Sequence, residues 1–262
     1  MSKVLGVKEL KMIDELVALY VANQEPLKRV LSSIQGYIDS SKRLNLLIHS
    51  VKSRLKDPEH LKDKLIRKGI EAKEKKISFP YTKENFFSQI NDLAGYRIIH
   101  LHTKQFEEIH AELKRIFSEQ QWIIIEGPKA KTWDDESRDY FKHIGVGVAK
   151  SPNLYTSVHY IVKPNRSAQI TCEIQVRTLM EEVWGEVDHT INYPHKSEVY
   201  SIREQIKVLA RVTSSCSRLV DSIFSTHDDH STNKIDNSKA KNASKKIISK
   251  GKTSKSSKST KT

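Results

Sequence analysis

Two cysteines in 262 residues, Cys172 and Cys216, are too few for a disulfide framework, and a reducing compartment is the expectation. Long apolar runs are missing as well. The N-terminal stretch MSKVLGVKELKMIDELVALY interleaves charges with apolar residues, so it has no signal-peptide core, and no window approaches a membrane span. These absences exclude a disulfide-stapled secreted domain and predict a cytoplasmic protein with no membrane partner. Acidic residues are almost absent from one end. From Asn233 to Thr262 there are ten lysines and one aspartate, so this segment carries +9 of the formal net charge of +13. Residues 1–232 are left with only +4.

That lysine- and serine-rich end has too little apolar surface to offset the entropy of ordering it. It reads as a disordered tail over 229–262 that could attract RNA electrostatically. Its GKTSK fragment resembles a phosphate-binding loop, but Lys246 stands where the first glycine belongs and no strand precedes it, which excludes that motif.

What is present upstream is one core's worth of helices and strands. Helical spacing covers 8–21 (Leu10, Ile13, Val17, Tyr20) and 26–50 (Leu27, Val30, Ile34, Ile38, Leu46). Asp57-Pro58 reads as a helix start and Gly69 as its stop. LAGYRIIHLH (93–102) reads as a strand, 105–118 as a helix with Phe106, Ile109, Leu113 and Ile116 inward, and WIIIEGP (122–128) as a short strand. Runs 156–163 and 169–178 flank a turn-rich PNRSA and read as a hairpin. Helices are expected over about 178–191, with Val183, Trp184, Val187 and Ile191 inward, and 199–224, with Ile202, Ile206, Leu209, Val212, Leu219 and Ile223 inward. Trp133-Asp134-Asp135-Glu136 reads as an exposed loop. The expected fold class is α/β (α+β): a mixed, mainly antiparallel sheet flanked by helices. The division is N-terminal helices 1–50, a central domain 51–195, a packing helix 196–228 and the tail 229–262.

Polar residues gather on the hairpin. Alternation in the first strand puts Tyr155, Ser157 and His159 on one face, and in the second Glu173, Gln175 and Arg177, with Cys172, Ile174 and Val176 opposite. This is either a polar platform for a ligand or a sheet face turned to water. A second cluster bears on the choice. Arg54 and Lys56 precede the Asp57-Pro58 helix start and Lys64 lies inside that helix, where cations and a helix N-terminus can converge on phosphate. Asp92 opens an otherwise apolar strand. Carboxylates that hold a metal, beside cations that neutralise phosphate, suit a Mg²⁺-nucleotide site. Glu107-x-x-His110 and Glu186-x-x-His189 match a di-iron helix pattern, but that needs four facing helices, and these segments alternate with strands.

From about Lys52 to Tyr193 the chain resembles the synthetase domain of RelA/SpoT homologues, through RLKDPEHLKDKLIRK (54–68), DLAGYRIIH (92–100), PNLYTSVHYIV (152–162) and CEIQVRTLMEEVWGEVDHTINY (172–193). The resemblance implies a nucleotidyltransferase-like synthetase domain that moves the β,γ-pyrophosphoryl group of ATP to the 3′-hydroxyl of GDP or GTP. Arg54 and Arg97 would sandwich the adenine, and Lys56 and Lys64 would hold the ATP phosphates. Asp92 and Glu173 would bind Mg²⁺, with Glu173 also activating the hydroxyl. Tyr155 would stack on the acceptor guanine beside Asn153 and His159, and Gln175 and Arg177 would line the same face. The loop Asn153-Leu154-Tyr155-Thr156-Ser157 departs from the Asn-Gly-Tyr-Arg-Ser common in small members, losing an arginine near the acceptor phosphates. Toxin members of the family pyrophosphorylate tRNA 3′-ends instead, and the basic tail and Thr156 are compatible with that. A catalytically weak nucleotide- or RNA-binding sensor is the reading of a different class. Only 53 residues precede Arg54, too few for the family's hydrolase domain, so the expectation is a stand-alone synthetase. Small members of the family often form homo-oligomers, and the N-terminal helices and the 199–224 helix serve either that or core packing.

Overall fold

A computed structural model describes residues 5–151, 154–192 and 196–253, with side chains placed through residue 230. The N-terminal helices α1 (Val7–Ala22), α2 (Gln24–Ser40) and α3 (Lys42–Leu47) lead into β1 (Ile48–Leu55). Then follow α4 (Pro58–Glu74), the short α5 (Phe86–Gln89), β2 (Ala94–His100), α6 (Gln105–Glu119), β3 (Ile123–Thr132), α7 (Asp135–His143) and β4 (Gly147–Lys150). The hairpin strands are β5 (Ser157–Lys163) and β6 (Cys172–Thr178), followed by α8 (Leu179–Asn192) and α9 (Tyr200–Thr253). The chain forms two compact units, residues 1–217 and residues 218–262. The first contains the sheet and the site. Among the described residues no helix is long and apolar enough to cross a membrane.

The six strands form one sheet in the order β1-β2-β6-β5-β3-β4. β2–β6 and β3–β4 are parallel and the other three pairs antiparallel, so the sheet is mixed and mainly antiparallel. Its apolar face carries Tyr96, Ile98, Val158, Tyr160, Val162, Cys172, Ile174 and Val176, all buried in the main core with Leu27, Ile34, Ile38, Phe106, Ile109 and Leu113 of α2 and α6. The register then builds the other face. Lys52 pairs with Arg97, Arg97 with Gln175, Gln175 with His159 and His159 with Lys129, a single polar row across five strands. Gly127, at φ 97°, sits against the His159 carbonyl where a Cβ would strike backbone, so glycine is required at this bulge.

Several expectations are corrected. Residues 48–50, assigned to the end of a helix, open a strand that runs to residue 55, and Leu46, assigned inward, is 85% exposed. Asp57 does cap α4, accepting from the His60 N–H at 3.0 Å, but Gly69 does not stop it. Gly69 is buried inside α4, where a Cβ would come within 2.9 Å of Leu5; it is a packing glycine. Asp134 is not in an exposed loop: it is buried and caps α7, accepting from Ser137 N–H at 2.8 Å and from Ser214 Oγ at 3.1 Å. In α8 only Trp184 of the four assigned apolar positions is buried; Val183 and Ile191 face out while Glu181 and Glu182 face in. In α9, Ile206 is buried and Val212, Leu219 and Ile223 are exposed. The α9 backbone continues to Thr253, through most of the segment assigned to a tail; no glycine or proline interrupts residues 200–250, and Gly251 is the first.

Candidate nucleotide site

The polar face does not look onto open water. Ser157, His159 and Arg177 are only 2, 7 and 8% exposed. A water-facing sheet would leave these groups accessible, so that alternative falls. Two adjoining cavities lie over the face and share Arg97, Gln175 and His189.

The first, about 410 Å³, lies over β1, β2 and β6 and takes in Lys52, Arg54, Asp92, Arg97, Glu173, Gln175, Glu186 and His189. Lys56 reaches the cluster because the β1–α4 junction is pinned: its N–H donates to the Leu93 carbonyl at 2.9 Å and its carbonyl accepts from Tyr20 Oη at 2.5 Å. Its ammonium then meets Asp92 Oδ2 at 3.0 Å, and Lys64, from the second turn of α4, meets Oδ1 at 2.7 Å. Burial works to raise the Asp92 carboxyl, but the two ammonium groups outweigh it and hold Asp92 below its ordinary value. Glu173 accepts from Gln175 Nε2 at 3.0 Å and lies 2.8 Å from His159 Nδ1. Burial opposes its charge; the His159 bond prevails and lowers it. With Glu173 ionised, the shared proton belongs on Nδ1. His159 Nε2 is buried and has no partner among the described residues.

A hub that sequence reasoning missed ties the two ends together. Glu182 of α8 lies 2.8 Å from Arg97, 2.9 Å from Lys52 and 2.8 Å from Arg177. The Arg177 contact is an ion pair without an aligned N–H···O bond. Burial opposes the charge on Glu182, yet the three cations hold it below its ordinary value. Arg97 also meets Glu186 at 2.7 Å. The signal for Lys52 was its two-residue offset from Arg54, which places both on one face once residues 48–55 are read as a strand. Glu182 carried no such signal, because its burial depends on α8 lying across a charged sheet face.

The second cavity, about 520 Å³, takes in Tyr155, His159, Arg177, Trp184 and basic residues of α4 and α9. Tyr155 and Trp184 stack at 16° with centroids 6.3 Å apart, and the Trp184 indole N–H donates to the Ile206 carbonyl at 3.1 Å. Thr156 turns away: its N–H donates to Glu181 at 2.9 Å and its hydroxyl bonds Thr132 at 2.8 Å. Of the expected residues, Arg54, Asp92, Arg97, Glu173 and Gln175 line the first cavity; Tyr155, His159 and Arg177, with Arg97 and Gln175 again, line the second. Lys56 and Lys64 touch the first through Asp92. Asn153 lies outside the described residues.

Residues 53–198, more than half the chain, match the family described as the region found in RelA / SpoT proteins. The GTP pyrophosphokinase YwaC of Bacillus subtilis (strain 168) is 28% identical over 171 residues, covering 63% of this chain and 68% of that protein. Among solved structures, a GTP pyrophosphokinase family protein from Streptococcus pneumoniae superposes with a TM-score of 0.57 at 20% identity, over 83% of this chain and 95% of that one. Small alarmone synthetase 1 from Bacillus subtilis, bound to its product pppGpp, superposes with a TM-score of 0.51 at 17% identity, over 81% and 96%. At these identities the two structures speak to the fold.

Proposed function

The chain belongs to the RelA/SpoT family, and from that premise we propose that it is an ATP-dependent pyrophosphokinase making (p)ppGpp from GDP or GTP. The observation that carries the reading is one cleft in which two ionised carboxylates, Asp92 and Glu173, stand among cations, next to an aromatic platform with an orphaned imidazole nitrogen.

Arg54 and Arg97 flank the adenine of ATP, a role suited to planar guanidinium groups. Lys56 and Lys64 exchange Asp92 for ATP phosphates. Two hard, deprotonated oxygen donors facing one cavity fit Mg²⁺, which is commonly bound by one or two carboxylates plus substrate phosphates. Asp92 and Glu173 would hold it, and the ion would supply charge neutralisation at the phosphates. The acceptor base stacks on Tyr155, with Asn153 beside it. The 3′-hydroxyl loses its proton to Glu173 as its oxygen bonds the β-phosphorus, and the bond to the α-phosphate oxygen breaks to release AMP. His159, Gln175 and Arg177 orient and balance this centre. We place the reaction in the cytoplasm. The exposed Val208 and Val212 on α9 support a homo-oligomer formed through that helix.

The test is a product assay with purified protein, Mg²⁺ and β,γ-labelled ATP, offering GDP, GTP and deacylated tRNA separately. Label moving to a guanosine nucleotide, with AMP released, is the expected result. Transfer to tRNA alone would make the enzyme an RNA-directed toxin, and no transfer from folded protein would leave a binding protein.

A further inference from the structure

The acceptor loop brings no cation to the acceptor cavity, because Thr156 is uncharged and its side chain is turned to Thr132. The cavity is nonetheless strongly basic. Beyond Tyr155 and Trp184, its outer wall is formed by Arg67 of α4, Lys196, and Arg203 and Lys207 of α9. Asp188 is the one carboxylate lining it among the described residues. Arg67, Lys196 and Arg203 take part in no ion pair among the described residues, and Lys207 is paired only with Glu204 on its own helix, at 2.6 Å.

The position of this wall is fixed by the same turn of α9 that covers the platform. Ile206 and Ala210 pack with Trp184, with Leu154 and Tyr155 against them, and the Ile206 carbonyl takes the Trp184 N–H. Arg203 and Lys207 flank Ile206 in the helix, so their stems are anchored while their exposed charged ends are held by nothing stronger than the Glu204 pair of Lys207. Unpaired cations crowded around a cavity repel one another and are stabilised by an anion that enters it. The orphaned His159 Nε2, buried in the same cavity, shows that a polar ligand group is also wanted at its inner end.

We propose that the first turns of α9 supply the subsite for the acceptor's 5′-phosphates: Arg203 and Lys207, with Arg67 and Lys196 opposite, bind the 5′-di- or triphosphate of a nucleotide whose base lies on Tyr155. The acceptor loop supplies no cation of its own, and these come from other elements. This deepens the proposed function and rests on it.

Two measurements on the full chain test it: calorimetric titration with GMP, GDP and GTP, and the transfer assay with saturating ATP. Affinity is expected to rise from GMP to GDP to GTP. In the double variant Arg203→Ala/Lys207→Ala, binding of GTP should weaken by about tenfold to a hundredfold, the range for losing charged hydrogen bonds. GMP binding, the KM for ATP and kcat should stay as they were. The charge-keeping Arg203→Lys/Lys207→Arg should restore most of the loss, which a folding defect would not allow. Unchanged GDP and GTP affinity in the double variant overturns the subsite, as does equal loss for GMP. A loss of tRNA transfer with guanosine nucleotides unaffected overturns it in favour of an RNA backbone. Failure of the wild type to bind or use any guanosine nucleotide would instead sink the proposed function, and the subsite with it.

Discussion

The two halves of the cleft share a floor but differ in charge. Over β1 and β2, three cations (Lys52, Arg54, Arg97) face three carboxylates (Asp92, Glu173, Glu186), and most are already paired. Beside α9, six cations line the cavity, and Asp188 is the one carboxylate lining it among the described residues. A site that handles a metal must keep its carboxylates ionised, and nearby ammonium groups do this for Asp92 until phosphates compete for them. A site that only grips phosphate needs no carboxylates, and three of its cations, Arg67, Lys196 and Arg203, have no ion pair among the described residues. The balanced half is built for exchange of partners, the unbalanced half for recruitment.

The largest expected effect comes from removing the charges of the balanced half. Asp92→Asn and Glu173→Gln should each lower kcat by roughly 10³-fold, the scale of losing a metal-holding or proton-accepting group. The guanosine affinity of the other half should change little in Asp92→Asn. Single-turnover transfer with a parallel GTP titration separates the two; a fall in GTP affinity as large as the fall in rate would erase the distinction between the halves. Next is Glu182, which serves both. Glu182→Ala leaves Lys52, Arg97 and Arg177 without their common partner and should cost about 3 kcal/mol or more of stability, as breaking a buried charge network does. Denaturant melts would detect it, and a loss under about 1 kcal/mol would mean the hub is solvated.

The same contrast explains what the sequence disclosed. Tyr96, Ile98, Val158, Tyr160, Ile174 and Val176 alternate with polar residues, and the sheet forms with them inside. The site residues on β6 were legible for that reason, since alternation assigns faces. Where burial is charged, the apolar period misleads. α8 lies across the polar face, so Glu181 and Glu182 point in and Val183 points out, the reverse of a hydrophobic reading. β1 was hidden because its exposed Lys52 and Arg54 on an edge strand resemble a polar helix end. Arg203 and Lys207 could not have been found from spacing, since only tertiary packing brings α9 beside Tyr155.

A pH experiment sharpens the comparison. Asp92 and Glu173 are held low, but Glu181, behind the acceptor loop, is pushed up to about 7, chiefly by burial, with Asp134 adding to it and the Thr156 N–H and Arg177 opposing. Its folded form therefore keeps a proton that the unfolded chain has already lost above its ordinary value near 4.5. The stability this contributes is full below about pH 4.5 and is lost as pH rises through about 7. Unfolding at pH 5.5 and 8.5 should differ by on the order of 2 kcal/mol more in wild type than in Glu181→Gln. Identical pH slopes would mean that Glu181 is ionised and paired like the carboxylates of the other half.

The smallest effect should come from Gly185. A Cβ there would come within 2.6 Å of Arg177 Nη1, the far end of a flexible side chain, so Gly185→Ala should displace the guanidinium while leaving the fold intact. Arg177 lines only the acceptor half, and Glu182 would keep Lys52 and Arg97 as partners. The KM for the acceptor should rise by less than about tenfold, the worth of one repositioned charged contact, with the KM for ATP unmoved. An equal rise in both constants would show that displacing Arg177 propagates through Glu182 to Arg97, and that the two halves respond as one charge network.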